Sequence, residues 1–410
     1  MHIAPSGQPF RLSRHTPPHI VTLVALAGLG ALNMNMILPS LPSLAAHYGA
    51  DYSVVALAVS AYLGVTAMLQ LVLGPLSDRF GRRPVVLVSL GIFLAATIGC
   101  LFAPTVGLFL FFRMVQAAVA SGLVLSRAIV RDMVPANEAA SMIGYVTMGM
   151  SLMPMVGPML GGFLDEVFGW QAIFVVTFAF GIATLWLLWA DLGETNRHPS
   201  ASFAAQFRTY PELARSRRFW GYAATAALAS GAFFAFLGGG PWVASEVLGM
   251  SPSRLGFYFG FIALGYLVGN FLSGRFAAEV GINRMMLIGG IVTTSGMAAA
   301  LVLFGLGMQT PLAFFGSILF VGLGNGILLP SANAGVVSVR PHLAGSASGL
   351  GGALMIGGGA LLASATGAML GPETGAWPLL VTMFVSSALG VAATLYVMRV
   401  ARQAGGLTPS

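Results

Sequence analysis

Twelve times along this chain an apolar run of about twenty residues recurs with almost no charge inside it, and no other feature narrows the possible folds so far. A helix rises ~1.5 Å per residue, so such a run crosses the ~30 Å hydrocarbon core of a bilayer. The runs are 20–39, 53–73, 84–103, 107–129, 139–163, 170–190, 219–239, 254–273, 285–307, 311–333, 346–370 and 377–398. Backbone groups in lipid must bond within their own segment, so each run is expected to be a helix. Composition points the same way. With 8% charged and 57% apolar residues among 410, the chain has too little charge for a water-facing surface, where about 25% is usual. The expected fold class is an all-α integral membrane protein of twelve transmembrane helices.

The basic residues choose a side. All 19 are arginine, and with a cytoplasmic N-terminus only Arg254 falls at the opposite membrane face and Arg113 inside a run. Cytoplasmic loops collect positive charge, so both termini are expected in the cytoplasm and the net charge of +7 reads as orientation, not nucleic-acid binding. The run from Ile20 is longer than the apolar core of a signal peptide and is taken as a retained span. A polar stretch, 191–218, with Pro199 and Pro211, separates a six-helix unit, 20–190, from a second, 219–398; 1–19 and 399–410 are cytoplasmic ends. Gly74 and Gly81 recur 200 positions later as Gly274 and Gly281, each pair between the second and third run of its unit, which suggests internal duplication into two pseudo-symmetric bundles. The lone Cys100 excludes a disulfide framework. Neither a zinc-spaced histidine set nor G-x-S-x-G occurs, so no catalytic residue, metal or cofactor is expected.

Charge concentrates in one short turn, "GPLSDRFGRR", Gly74 to Arg83, where two glycines frame an acid and three arginines able to tie helices to their neighbours. A second outlier is Arg113, a permanent charge inside the fourth run that must face a wet cavity or find hydrogen-bond partners. The turn resembles the G-x-L-x-D-R-x-G-R-R signature of the major facilitator superfamily, at the same place between the second and third spans. "RMVQAAVASG", with Arg113, Gln116 and Gly122, is similar to that family's R-x-x-Q-x-x-x-x-x-G stretch. "GPMLGG", with Gly157, Pro158, Gly161 and Gly162, resembles the G-P-x-x-G-G signature of its drug-exporting antiporters. "LPSLP" at Leu38 to Pro42 and "RAIVRD" at Arg127 to Asp132 are similar to its bicyclomycin and chloramphenicol resistance branch, Bcr/CflA.

The resemblance implies an inner-membrane secondary transporter that exports drugs or small organic solutes by alternating access, with proton antiport. It implies a cytoplasmic gate in which Asp78 meets Arg127 or Arg131 and the start of the eleventh span, within a set of Gly74, Asp78, Arg79, Gly81, Arg82, Arg83, Arg127, Arg131 and Asp132. Pro158 is expected to bend the fifth helix while Gly157, Gly161 and Gly162 admit a neighbour. Substrate contacts are expected from Asn33, Asn35, Tyr62, Arg113, Gln116, Met150, Phe233, Phe236, Tyr258 and Asn325. Two departures matter. Met153 stands where the antiporter pattern has a small residue, and Asn35 where the branch carries an aspartate. An amide takes up no proton, so a neutral or anionic substrate is favoured, and coupling falls to Glu246 or Asp51 or is absent. The expected partners are a small-molecule substrate, protons and the lipid bilayer, with the protein a monomer. A metabolite importer, an uncoupled facilitator of the same fold and a polytopic membrane enzyme stand as alternatives.

Overall fold

The computed structural model describes residues 18–133, 142, 146, 153–196, 210–340 and 344–403, and among these it is helical with no strand. Eleven helices are long and apolar enough to cross a membrane: Ile20–Tyr48, Tyr52–Phe80, Arg82–Leu101, Val106–Val130, Gln171–Asp191, Arg217–Val247, Pro252–Ala277, Ile282–Gly305, Pro311–Ser338, Ser346–Met369 and Trp377–Gln403. The fifth run appears as the helix Met153–Phe168, with Met142 and Val146 also helical. These twelve are numbered as spans in chain order. Large apolar side chains lie bare on the outside, Leu361 at 74% and Phe271 at 68% exposure among them, as a lipid-facing surface requires.

Prolines explain where the helices depart from regularity. The first was expected to stop at residue 39, but it continues to Tyr48 through a 3₁₀ turn at Leu38–Ser40. Pro39 and Pro42 have no N–H to offer the preceding turn, so the chain tightens there and then resumes. The seventh span likewise passes Pro241 and ends in a π-helical turn, Val243–Val247. Pro158, by contrast, sits inside a continuous fifth helix that runs five residues beyond its expected end at 163.

The 200-residue offset reappears in backbone geometry. Gly81 and Gly281 close the second and eighth spans at φ 95° and 84°, and Gly49 and Gly249 close the first and seventh at φ 57° and 60°. All four lie in the left-handed region that favours glycine, so the same turn chemistry ends the same span in each set of six.

Packing is uneven along the membrane normal. At the end bearing Gly49, one apolar cluster unites both sets, with Leu41, Val59 and Phe109 from the first six spans and Phe236, Leu255 and Phe314 from the last six. At the arginine-rich end the apolar side chains form two clusters. One holds Leu23, Val86 and Leu188, all from the first set; the other holds Phe219, Met286 and Val336, all from the second. Hydrogen bonds join the sets at the Gly49 end, where Tyr52 Oη donates to the Gly238 carbonyl at 2.9 Å and Ser253 N–H donates to Glu166 Oε2 at 3.1 Å. Among the described residues the apolar core is shared by the two sets at one end and split between them at the other, where the second and eleventh spans still approach at Gln70 and Gly352.

Lipid tails are as apolar as leucine, so helices must hold one another by close backbone approach. The eighth and tenth spans do so reciprocally. A Cβ on Gly265 or Gly269 would strike the carbonyl of Leu319 or Leu323, and one on Gly322 would strike the Ile262 carbonyl; one on Gly326 would fall 2.5 Å from the Tyr266 carbonyl. Replacing Gly322 by Ala should lower stability by about 1–3 kcal/mol through overpacking, read as thermal unfolding of the purified protein in detergent. Gly316→Ala, on the same helix but with open space around it, should not lower it.

Candidate functional site

Arg113 lies in the last turn of the helix Val106–Val115, just before the fourth span tightens into a 3₁₀ segment at Gln116–Val119. It was expected either to face a watery cavity or to find hydrogen-bond partners, and the structure shows the second. Its side chain is 1% exposed and its donors are committed within the first four spans. Nε donates to the Ala58 carbonyl at 3.2 Å, Nη1 to Asn33 Oδ1 at 3.1 Å and Gln116 Oε1 at 2.8 Å, and Nη2 to the Asn33 carbonyl at 3.1 Å. The guanidinium also lies 4.3 Å from the Tyr62 ring centroid. Asn33 Nδ2 donates to Tyr62 Oη at 3.2 Å, and Gln116 Nε2 donates to Thr97 Oγ1 at 2.8 Å. Without a carboxylate in it, this knot satisfies a buried charge entirely with neutral dipoles, which a planar five-donor fork permits and an ammonium does not. Asn33, Tyr62, Arg113 and Gln116 thus converge as one unit.

The other expected substrate residues do not join that unit. Asn35 donates to its own helix at the Ala31 carbonyl, 2.7 Å away. Phe236 is fully buried among Phe259, Phe314 and Phe315, a packing position, while half-buried Tyr258 stacks on Phe261 at 5.4 Å. Phe233 is half-buried beside Phe234 at 5.7 Å. Asn325 is 4% exposed and its Oδ1 has no hydrogen-bond partner. Met150 lies outside the described residues.

The charged turn forms a second knot. Arg82 meets Asp78, at 2.5 Å. The reason is Gly81, whose positive φ folds the start of the third span back under the end of the second. Arg82 also reaches Asp132 at 3.0 Å and Ser77 Oγ at 2.5 Å. Arg79 lies exposed over the Phe80 ring, Gly74 has open space around it, and half-buried Arg127 makes its own contacts. The Arg131 side chain and residues 341–343, just before the eleventh span, lie outside the described residues.

The stretch after the sixth span does more than link. Glu194 accepts from the backbone N–H of Arg82 at 2.9 Å and of Arg83 at 3.2 Å, capping the third span, and a Cβ on Gly81 would collide with its carboxylate. Asn196 Nδ2 donates to the Asp78 carbonyl at 2.8 Å, Thr195 Oγ1 to Asp132 at 3.2 Å, and Arg83 Nη2 to the Trp189 carbonyl at 3.3 Å. Sequence reasoning passed over Glu194, although an acid directly after a span on the arginine-rich side was the available signal.

The glycines of the fifth helix are wedged between two partners. Gly157 faces Asn35, with 3.0 Å left for a Cβ, and Gly161 faces the Met36 carbonyl, both on the first span. Gly162 faces the Pro252 carbonyl and the Pro158 carbonyl faces Gly256, both on the eighth, across the seam between the two sets. Glu166, at the exposed end of this helix, is held below the usual carboxylate range by donors from Ser253 and Ser251. No group of three His, Cys, Asp or Glu side chains suited to a metal occurs among the described residues.

Such a geometry can hold a charge out of water and brace one end of a bundle while the other opens. A family model described as Major Facilitator Superfamily matches residues 23–364. The chain is 34% identical over 374 residues to the uncharacterized MFS-type transporter YdgK of Bacillus subtilis (strain 168), covering 89% of this chain and 91% of that protein. It is 29% identical to the chloramphenicol resistance protein of Pseudomonas aeruginosa, over 86% and 84% of the two. In fold it is similar to the inward-facing, occupied structure of a bacterial homolog to the human lysosomal transporter Spinster, with a TM-score of 0.72 at 18% identity, covering 95% of this chain and 98% of that one.

Arg82 decides between two magnitudes. An exposed ion pair contributes ~0.2–1 kcal/mol, whereas breaking a buried one costs ~3–5 kcal/mol. With the Arg82 side chain 10% exposed, Arg82→Gln should lower stability by at least about 2 kcal/mol, because it strands Asp78 and Asp132 together. Arg340→Gln, breaking a pair in which both side chains are near half-exposed, should cost under ~1 kcal/mol in the same thermal measurement.

Proposed function

Since this chain belongs to the Major Facilitator Superfamily, we propose that it is a drug-exporting secondary transporter working by alternating access between two rigid six-helix halves, 20–190 and 219–398. The observation that carries the reading is the asymmetry of the core, one apolar cluster shared by both sets of spans at the Gly49 end and two separate clusters at the other. A bundle built to rock about a central site has one such sealed end at a time. The arginine bias assigns the divided end to the cytoplasm, so this arrangement corresponds to a cytoplasm-open state with both termini cytoplasmic, in the bacterial inner membrane, and the protein acts as a monomer.

Export of a neutral, largely apolar solute fits the chemistry. Arg113 contributes rigidity to the first half and offers no free charge to a substrate, while half-buried Phe233, Tyr258 and Phe261 supply aromatic surface. The chloramphenicol resistance relative supplies the first probe. Closing the cytoplasmic side would bring Asp78, Arg82 and Glu194, assembled at the head of the third span, against the second half as one unit.

Cells carrying the protein should accumulate less chloramphenicol than cells without it, and equal accumulation would overturn the reading. Arg113→Ala should abolish the difference and destabilise the purified protein by at least about 3 kcal/mol, two charged hydrogen bonds at ~1.5 kcal/mol each. Arg113→Lys should not rescue it, because an ammonium cannot reproduce the fork.

A further inference from the structure

Only two carboxylates are buried among the described residues, Asp165 and Asp191. Asp191 has the donors an anion needs: Thr22 Oγ1 at 2.5 Å and the His19 backbone N–H at 2.8 Å, at the positive end of the first helix. Asp165 has the opposite setting. It is 8% exposed, it lies in the last turn of Met153–Phe168 where the helix dipole is negative, and Glu166 follows it. Its hydroxyl partner is Ser43, 2.7 Å from Oδ2, with the Ser40 hydroxyl beside it, and no ion pair reaches it among the described residues. A hydroxyl serves both protonation states, donating to a carboxylate or accepting from a carboxylic acid. Past the apolar run that ends at Leu164, burial holds this carboxyl above the usual carboxylate range.

Its place in the fold makes that consequential. Asp165 lies one turn beyond Gly161 on the face packed against the first span, and its neighbours Gly162 and Glu166 touch Pro252 and Ser253 of the eighth span across the seam. Opening the Gly49 end requires those contacts to part, which would bring water to a group now shielded from it.

We propose that Asp165 is a proton-binding site linked to the side on which the transporter is open, carrying a proton while the Gly49 end is sealed and releasing it to water when that seam parts. This rests on the alternating-access reading and supplies the titratable group that Asn35 cannot be. The proton adds to a carboxylate oxygen from solvent and leaves to solvent, with no other bond changed. The sign follows from linkage: a carboxyl raised in the sealed state favours sealing at low pH, and that preference is lost as pH rises through its raised value. Glu166 acts with the opposite sign, since acid weakens its hold on Ser253. The other titratable groups near this end on the packed elements are His47 and Tyr48 on the first span and Arg254 and Tyr258 on the eighth; the sixth span begins at Gln171 with none.

The test needs no solute. Ala56, buried at the sealed end with the eleventh span's Gly367 3.2 Å from its Cβ on adding a methyl there, is remote in sequence from Glu166 and suits a reporter. Protein carrying Cys100→Ala and Ala56→Cys, in lipid nanodiscs, is followed by infrared pH-difference spectra and by the rate of maleimide labelling. A protonated-carboxyl band should titrate above the usual carboxylate range, persist in Glu166→Gln, vanish in Asp165→Asn and return in Asp165→Glu. Labelling, divided at each pH by that of the denatured protein so that the thiolate fraction cancels, should accelerate several-fold as pH rises and stay flat in Asp165→Asn. A band that survives Asp165→Asn, or a labelling profile that this substitution leaves unchanged, overturns the proposal. Failure to export chloramphenicol would overturn the export reading alone, because neither readout depends on it.

Discussion

Close approach of helix backbones is what the rest of this structure depends on. Inside a bilayer there is no water to squeeze out between two helices, so their attraction comes from van der Waals contact at short range. Glycine supplies that range here in two different ways. Between the eighth and tenth spans, Gly265 and Gly269 interlock with Gly322 and Gly326, a contact within one set of six spans that nothing in an opening motion need disturb. Between the fifth and eighth spans, Gly162 and Gly256 make contacts across the two sets, which the proposed rocking motion would have to part. The same physics therefore builds both the rigid body and its reversible seam.

The two arginine knots show how a charge-poor chain uses the charges it has. Arg113 is neutralised by no acid; amide, carbonyl and phenol dipoles from the first, second and fourth spans surround it, and the Asn33 and Gln116 side-chain oxygens would lose their donor without it. Arg82 stands at the membrane edge between Asp78 and Asp132 and is reinforced by the Glu194 cap on the helix that carries it. The first knot ties four spans in the interior, and the second ties three spans and the stretch after the sixth at the arginine-rich end. Together they make the first set a unit that can move without internal rearrangement. Asp165 differs from both in having no cation beside it among the described residues, only a hydroxyl partner.

Much of this was legible in the sequence, for identifiable reasons. Hydropathy located eleven spans and the described part of the fifth, because a bilayer imposes a minimum apolar length and forbids unpaired backbone. The 200-residue offset was legible from Gly81 and Gly281, since a left-handed turn leaves a glycine behind as its record. Arg113 and Gln116 announced themselves as polar residues where polarity is costly. The end of the first span was not legible: Pro39 and Pro42 look like a stop, and only the packing of Leu41 and Leu44 into the shared cluster shows why the helix resumes.

Sequence alone determined that this protein lives in lipid, how many times its chain crosses, and which residues carry unusual cost, since each of these follows from the energy of a residue or a segment by itself. Which arginine meets Asp78, that Glu194 caps the third span, that Phe236 is packing and Arg113 is sealed from water, and that Asp165 sits beside a seam were decided only by tertiary structure. Each of those is a relation between residues distant in the chain, and composition, spacing and hydropathy hold no information about which distant surfaces a folded bundle brings together.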